Sequence, residues 1–154
     1  QSLGKNVLIS KYAEFHRLSA FLSRHTQQPV GIVLGLPLFE ELFTERWYTD
    51  LEGGLLEAFG RLFRNKVRLY VYPVGDPMTG KVRTAAEAKV SENQQHLLHY
   101  LLDTSSVHII QDGMEDCLFH SSASVRKMIQ DGDERWKTLV PELVLNQGPW
   151  AQLK

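Results

Sequence analysis

Short apolar runs alternate along the chain with amphipathic segments of helical length. Each run has the length and the branched or aromatic side chains that are typical of a β-strand. The runs lie at 6–10, 30–34, 67–72 and 107–111. Because the segments between them are long enough for crossover helices, the pattern predicts parallel strands. We therefore expect an α/β fold: an open, doubly wound, mainly parallel sheet, Rossmann-like or flavodoxin-like, with helices on both faces.

The helical spacing of apolar residues predicts the elements between and after these strands. The predicted helices cover 11–26, 38–47, 55–63, 93–103 and 123–131. Asp50 is placed to cap the third of them, and Ser121 or Ser122 to cap the last, which ends at Gly132 and belongs to a helical tail over 116–154. Residues 74–92 hold many turn formers and make the longest irregular stretch, either a lid or an insertion.

The composition is that of one folded domain. The chain has 154 residues, with 17 Lys and Arg against 18 Asp and Glu, and 43% of the residues are hydrophobic. These values exclude a disordered or fibrous chain. Gln1 and Ser2 resemble the remnant of a tag-cleavage site. We therefore expect a single domain over 3–154 that is an excised piece of a larger protein, with the rest of that parent chain as a partner.

The same composition limits the kinds of partner and the cellular compartment that we expect for the protein. Lys and Arg are scattered and balanced by acids, so the chain lacks the basic field that tight nucleic-acid binding requires. No apolar run reaches the roughly 18–20 residues that span a bilayer, so we expect no membrane segment. Cys117 is the single cysteine and cannot form an internal disulfide. It fits a small apolar residue in a cytoplasmic protein.

Two places in the sequence favour ligand binding. Open parallel sheets bind ligands at the carboxyl ends of their strands, which makes Gly35, directly after the run 30–34, a candidate. The segment with His120, Ser121, Ser122 and Arg126 combines hydroxyls, free amides at a helix start and a guanidinium, which are groups that hold phosphate. On this local pattern alone, a serine cap on a surface helix is the simpler alternative.

The same segment resembles a known signature. Ser-Ser-x-x-aliphatic-Arg at 121–126, followed by Ile-x-x-Gly and Leu-Val-Pro-x-x-Val up to Val144, is similar to the C-terminal signature of the nucleotidyltransferase superfamily, especially the nicotinate-nucleotide adenylyltransferases. In that family the Ser/Arg segment contacts the ATP phosphates, which implies ATP or a pyridine mononucleotide as ligand. The family's His-x-Gly-His motif does not occur in this sequence, and Ala123 and Val125 replace the usual Thr and Ile. We therefore expect no adenylyl transfer by this chain alone.

A longer resemblance covers residues 4–144. It is to the C-terminal segment of long bacterial cytoplasmic proteins that are labelled nicotinate-nucleotide adenylyltransferase and sometimes TonB-related. The matching segments are 4–18, 31–35, 48–63, 69–73, 116–118 and 132–136. The family offers no established catalytic residues to carry over. It implies a nucleotidyltransferase-like domain that either binds a nucleotide phosphate or serves as a non-catalytic interaction module.

Two further groups of residues are candidates for ion or metal binding, and each has a simpler structural interpretation. Gly53, Gly54 and Gly60 favour close packing of one helix, with an anion, or a cation held by neighbouring acids, as alternatives. His96 and His99 share a helix face, but no carboxylate motif accompanies them. We therefore expect partly exposed histidines here and no metal site.

Aromatic side chains are concentrated between Phe39 and Phe63. They offer more apolar surface than one sheet face covers, which favours a contact with the parent chain or with a second copy. We expect a homodimer that buries more than about 1,000 Å². Core packing of the same aromatics is the alternative.

Overall fold

The computed structural model describes residues 6, 8–64, 66–111 and 118–146. The helices are α1 (Phe15–Leu22), α2 (Leu36–Glu41), α3 (Gly54–Phe63), α4 (Gln95–Asp103), α5 (Ser122–Asp131) and α6 (Glu142–Leu145). The strands are β1 (Val30–Gly35), β2 (Val67–Tyr72), β3 (Val74–Gly75), β4 (Val82–Arg83) and β5 (Val107–Ile109). Short 3₁₀ helices lie at Glu45–Tyr48, Ala85–Glu87, Glu92–Gln94 and Glu134–Leu139. Within these described residues, no helix has both the length and the apolar character that a bilayer crossing requires.

A three-stranded parallel sheet lies at the centre of the fold, in the order β1-β2-β5. Val30 of β1 is paired with Val67 of β2, and Leu69 of β2 is paired with Val107 of β5. The α/β class and the parallel pairing of three predicted strands are therefore confirmed. These strands succeed one another in the sheet as they do in the sequence, whereas a doubly wound sheet reverses its order at a switch point. The described strands contain no such reversal.

The predicted first strand at 6–10 is not formed by its described residues. Leu8 and Ile9 are 68% and 90% exposed, and residues 6 and 8–10 have no strand assignment. An apolar run has the propensity for a strand, but a strand also needs a neighbour for its backbone hydrogen bonds and a core for its side chains. The prediction is wrong for these residues because the run finds neither within the described part of the chain.

The two faces of the sheet meet different surroundings. On one face, alternate strand residues such as Leu34, Leu69 and Val107 join the hydrophobic core, where α2, α3 and α4 contribute side chains such as Phe39 and Leu98. We call the opposite face the second face; it carries Gly31, Val33, Arg68, Tyr70 and His108. Val33 is 67% exposed there, and none of these five residues belongs to the core cluster.

Most of the aromatic residues between Phe39 and Phe63 enter the core. Phe39, Phe43 and Phe59 are buried, with ring centroids 5.4 Å apart for the first pair and 5.0 Å for the second. Phe63 packs against the same cluster, while Trp47 is half exposed. The core alternative thus accounts for most of the aromatic surplus, and the reason for expecting a dimer at this region is weakened.

The start of α3 differs from the prediction. Its cap residue is Gly53 in place of Asp50, and the Gly53 amide donates a hydrogen bond of 2.9 Å to the Glu57 carboxylate. Gly54 has a φ of 53°, in the left-handed region that glycine adopts without steric cost. Asp50 instead accepts a hydrogen bond from Arg17 of α1. The paired glycines are therefore explained by the turn that starts the helix.

Residues 74–92 are more regular than the predicted irregular stretch. β3 and β4 pair as an antiparallel hairpin, and two 3₁₀ helices follow, each closed by a capping box. Glu40 of α2 anchors the segment, because its Oε1 accepts hydrogen bonds of 2.7 Å from Arg83 Nη1 and from the Lys89 amide. The stretch is therefore tied to the domain at two points.

The tail helix α5 has the predicted ends. Ser121 is its cap residue, and Gly132 follows its last residue with a φ of 73°. The amides of Gly132 and Asp133 donate to the carbonyls of Ile129 and Met128, which is the pattern of a glycine-terminated helix. Both helix-end predictions are confirmed.

Candidate functional site

The serine pair at the start of α5 forms a complete helix cap. Ser121 Oγ accepts a hydrogen bond of 3.0 Å from the Ser124 amide, and Ser124 Oγ accepts one of 2.8 Å from the Ser121 amide. Ser122 is the first residue of the helix and is exposed. The hydroxyl of Ser121 and one free amide are thus already used within the turn, as the simpler alternative requires.

The other predicted binding residues are not gathered around a shared cavity. His120 and Arg126 are exposed, and Arg126 forms no ion pair with any described residue. Gly35 lies at the carboxyl end of β1, where it also precedes α2 as its cap residue. No described hydrogen bond joins Gly35 to the start of α5. Phosphate binding at Ser121, Ser122 and Arg126 stays a prediction.

The remaining candidates from the sequence carry no built site. His96 and His99 are exposed, as expected. In the part of the chain that the structure describes, no group of three or more His, Cys, Asp or Glu side chains is arranged to hold a metal ion. Cys117 lies outside the described residues.

A cavity that sequence reasoning missed opens between α1 and α3. Its volume is about 500 Å³, and four of its lining side chains are arginines. We call it the basic cavity. The described residues that line it are His16, Arg17, Ala20, Ser23, Arg24, Arg61 and Arg64.

The amphipathic pattern of the two helices explains why the arginines meet. α1 is shorter than the predicted 11–26, so Arg17 lies within the helix and Arg24 lies in the turn that follows it. Both side chains nevertheless line the same cavity. Arg61 lies in the last turn of α3, and Arg64 is the residue that directly follows the end of that helix. The two helices pack against each other through their buried faces, so their basic edges border the same opening.

Two of the four guanidinium groups are already paired. Arg17 binds the Glu14 and Asp50 carboxylates at 2.8 Å each. Arg61 forms an ion pair with Glu57, and the Gly53 amide and Arg61 both lower the pKa of that carboxyl group.

Arg24 and Arg64 differ from their neighbours in the cavity. Both are exposed, and neither forms an ion pair with another described residue. The basic cavity therefore presents two guanidinium groups whose hydrogen-bond donors are available to an anion.

His16 forms the inner wall of the basic cavity. Its side chain is only 5% exposed, and Nε2 is buried without a hydrogen-bond partner among the described residues. Burial lowers the pKa of its imidazole. The ring also lines a small internal cavity together with Tyr48, whose hydroxyl donates a hydrogen bond of 2.8 Å to the Leu42 carbonyl. Buried side-chain nitrogens in proteins normally have a hydrogen-bond partner, so a Nε2 without one among the described residues is unusual.

Comparison with known proteins adds no relative to this picture. The scan against protein-family models, the search of curated proteins and the search of solved structures each return no match.

Proposed function

We propose that this domain binds a phosphate-bearing ligand in the basic cavity. The observation that carries the proposal is the set of four arginines around one opening of about 500 Å³, two of them without an ion pair among the described residues. The guanidinium fork matches the oxygens of a phosphate group with two parallel hydrogen bonds, which makes arginine the preferred phosphate ligand in proteins.

Several expectations from the sequence agree with this proposal. The resemblance to adenylyltransferase-labelled proteins supports a nucleotide as the molecule that carries the phosphate group. The balanced net charge of the chain is compatible with a small ligand. Three expectations stay predictions: membership of that family, a doubly wound Rossmann-like sheet, and a cytoplasmic location. The last would suit this proposal, because phosphorylated nucleotides are abundant in the cytoplasm. Because the His-x-Gly-His motif is absent from the sequence, the proposal is binding and includes no catalytic step.

Calorimetric titration of the domain with ATP and with inorganic tripolyphosphate tests the proposal. We expect one site per chain. Replacing Arg24 and Arg64 by alanine should weaken binding, because each lost charged hydrogen bond costs about 1.5–3 kcal/mol, or roughly ten- to a hundredfold in affinity.

Two single variants serve as controls for that titration. Arg68→Ala removes an exposed arginine of β2 that does not line the cavity and should leave binding unchanged. Arg126→Ala tests the start of α5 directly. If Arg126→Ala abolishes binding and the double variant does not, the ligand belongs at α5; if no phosphate compound binds, the proposed function is wrong.

The second face favours a second candidate function, a homodimerisation module. Parallel sheets are normally covered on both faces, yet Val33 is 67% exposed there and Gly31 is exposed beside it. A second copy packed on this face would cover them. Light scattering over a range of protein concentrations should then show a dimer that Val33→Lys dissociates and Val82→Lys, on the exposed hairpin, does not. A monomer at all concentrations contradicts this candidate.

A further inference from the structure

We infer that the basic cavity recognises a run of consecutive phosphate groups, so that its ligand is an oligophosphate whose nucleoside, if it has one, stays outside the cavity. This inference rests on the proposed function, because it specifies the ligand of the same site. Three features of the cavity support it: its size, its charge arrangement and the chemistry of its walls.

The cavity is larger than one phosphate group requires. At about 500 Å³ it lies within the roughly 300–1,000 Å³ of pockets that hold a whole small molecule. Arg17 lies in the first turn of α1 and Arg24 lies two residues beyond its end at Leu22, so roughly 8 Å of helix axis already separates Arg17 from the turn that holds Arg24. One phosphate group therefore reaches only some of the guanidinium groups, whereas a linear chain of phosphates reaches groups at both ends.

The arrangement of arginines and carboxylates at the cavity favours a ligand with a high negative charge. Arg24 and Arg64 are available at once, but Arg17 and Arg61 are shared with Glu14, Asp50 and Glu57. A ligand recruits the second pair only by competing with these exposed or half-exposed carboxylates, and exposed ion pairs are weak. A mononucleotide carries few charges with which to compete, and a triphosphate carries more. Affinity should therefore rise steeply with the number of phosphates.

The walls offer little that would recognise a base or a sugar. Among the described lining residues there is no Phe, Tyr or Trp on which a base could stack, and no carboxylate or amide that could accept hydrogen bonds from an exocyclic amine or a ribose hydroxyl. The remaining non-basic lining residues, Ala20 and Ser23, are small. His16 is the one ring among them, and it is buried in the inner wall. Apart from the arginines themselves, the described lining residues thus offer few contacts to a base or a sugar, and phosphate contacts dominate the recognition that we infer.

The test compares seven probes at one ionic strength: orthophosphate, pyrophosphate, tripolyphosphate, AMP, ADP, ATP and nicotinamide mononucleotide. We expect tripolyphosphate and ATP to bind with affinities within about threefold of each other, and both to bind more than about tenfold tighter than orthophosphate, AMP or the pyridine mononucleotide, because only the longer chains engage charged hydrogen bonds at both ends. The Arg24→Ala, Arg64→Ala double variant should flatten this series, and the Arg68→Ala control should preserve it.

Each contrary outcome has a definite meaning. AMP or nicotinamide mononucleotide binding as tightly as ATP, or ATP binding without tripolyphosphate, shows recognition of the nucleoside and overturns the inference while the proposed function survives. Equal affinity for orthophosphate and tripolyphosphate also overturns it. Absence of binding by all seven probes overturns the proposed function itself.

Discussion

The Ser19 hydroxyl donates a hydrogen bond to the backbone carbonyl of Leu62 across 3.0 Å. Ser19 belongs to α1 and Leu62 to α3, and both are buried. Leu62 lies directly after Arg61, and Ser19 lies two residues after Arg17. This buried polar contact therefore joins the two helices that border the basic cavity.

Replacing Ser19 by alanine should lower the free energy of unfolding by about 1–3 kcal/mol, because the Leu62 carbonyl loses its partner in a buried position. Urea unfolding measures the change. The matched control is Ser23→Ala. Among the described residues the Ser23 hydroxyl donates only to the Ala20 carbonyl, three residues earlier in the chain, so its loss should cost less than about 0.5 kcal/mol. Equal losses for the two variants would show that the contact between the helices contributes nothing of its own.

His16 should make stability depend on pH. Burial lowers its pKa; Glu14 and Asp50 act in the opposite direction, and Arg17 and Arg61 act in the same direction. The unfolded chain, with a histidine pKa of about 6.5, therefore takes up a proton that the folded protein resists. The free energy of unfolding should accordingly fall as the pH decreases below about 6.5.

Variants of two histidines separate this effect from the general response to acid. His16→Leu should flatten the pH dependence of the free energy of unfolding between about pH 7 and 5. The matched control is His99→Leu, which changes an exposed histidine of α4, and its curve is compared with that of His16→Leu. A His16→Leu curve parallel to that of the unmodified protein would contradict the prediction.

Asp133 should titrate far below the usual range. The Arg135 side chain and amide hold the pKa of its carboxyl group at about 2. Its contribution to stability is therefore fully present above the unfolded value of about 3.9 and is lost as the pH falls through the folded value. Carboxyl-carbon NMR measures the titration. Arg135→Ala should raise this pKa toward its ordinary value, whereas Lys137→Ala, which removes the partner of Glu134, should not.

Two glycine-to-alanine changes should have opposite signs. An added Cβ at Gly75 would overlap the ring of Phe119, so Gly75→Ala should lower the free energy of unfolding by about 1–3 kcal/mol. An added Cβ at Gly60 meets no described atom within 4 Å. Because Gly60 lies within α3, Gly60→Ala should raise the free energy of unfolding by about 0.5–1 kcal/mol. Thermal unfolding of both variants checks the pair, and destabilisation by Gly60→Ala would show that this glycine has a packing role.

The features that the sequence predicts best are those that depend on residues close together in the chain. Ser121 and Gly132 were identifiable as helix ends because caps use side chains and conformations within one turn. The strands at Val67–Tyr72 and Val30–Gly35 were identifiable from their branched and aromatic residues. The run at 6–10 has the same local character, but its exposure at Ile9 depends on distant parts of the chain, which no local pattern reports.

The basic cavity was not predictable for a related reason. Its arginines come from α1, from α3 and from the residues just after each helix. The two helices are separated in the sequence by β1 and α2, and nothing at 17–24 indicates which helix will pack beside α1. The sequence also could not predict which arginines form ion pairs, because Arg17 pairs with Asp50, a residue that is distant in the sequence. A helix-start phosphate site, by contrast, shares its sequence signature with an ordinary serine cap, so pattern alone could not separate the two at Ser121.

The strand order has a consequence for how the chain folds. β2 pairs with both β1 and β5, and the two connections that these pairings close, residues 36–66 and 73–106, are similar in length, so loop-closure entropy favours neither. Neither outer strand pairs with the other in the described sheet. Every pairing in the described three-stranded sheet therefore uses β2. We expect substitutions at residues such as Leu69 and Val71 to slow folding as well as to hasten unfolding.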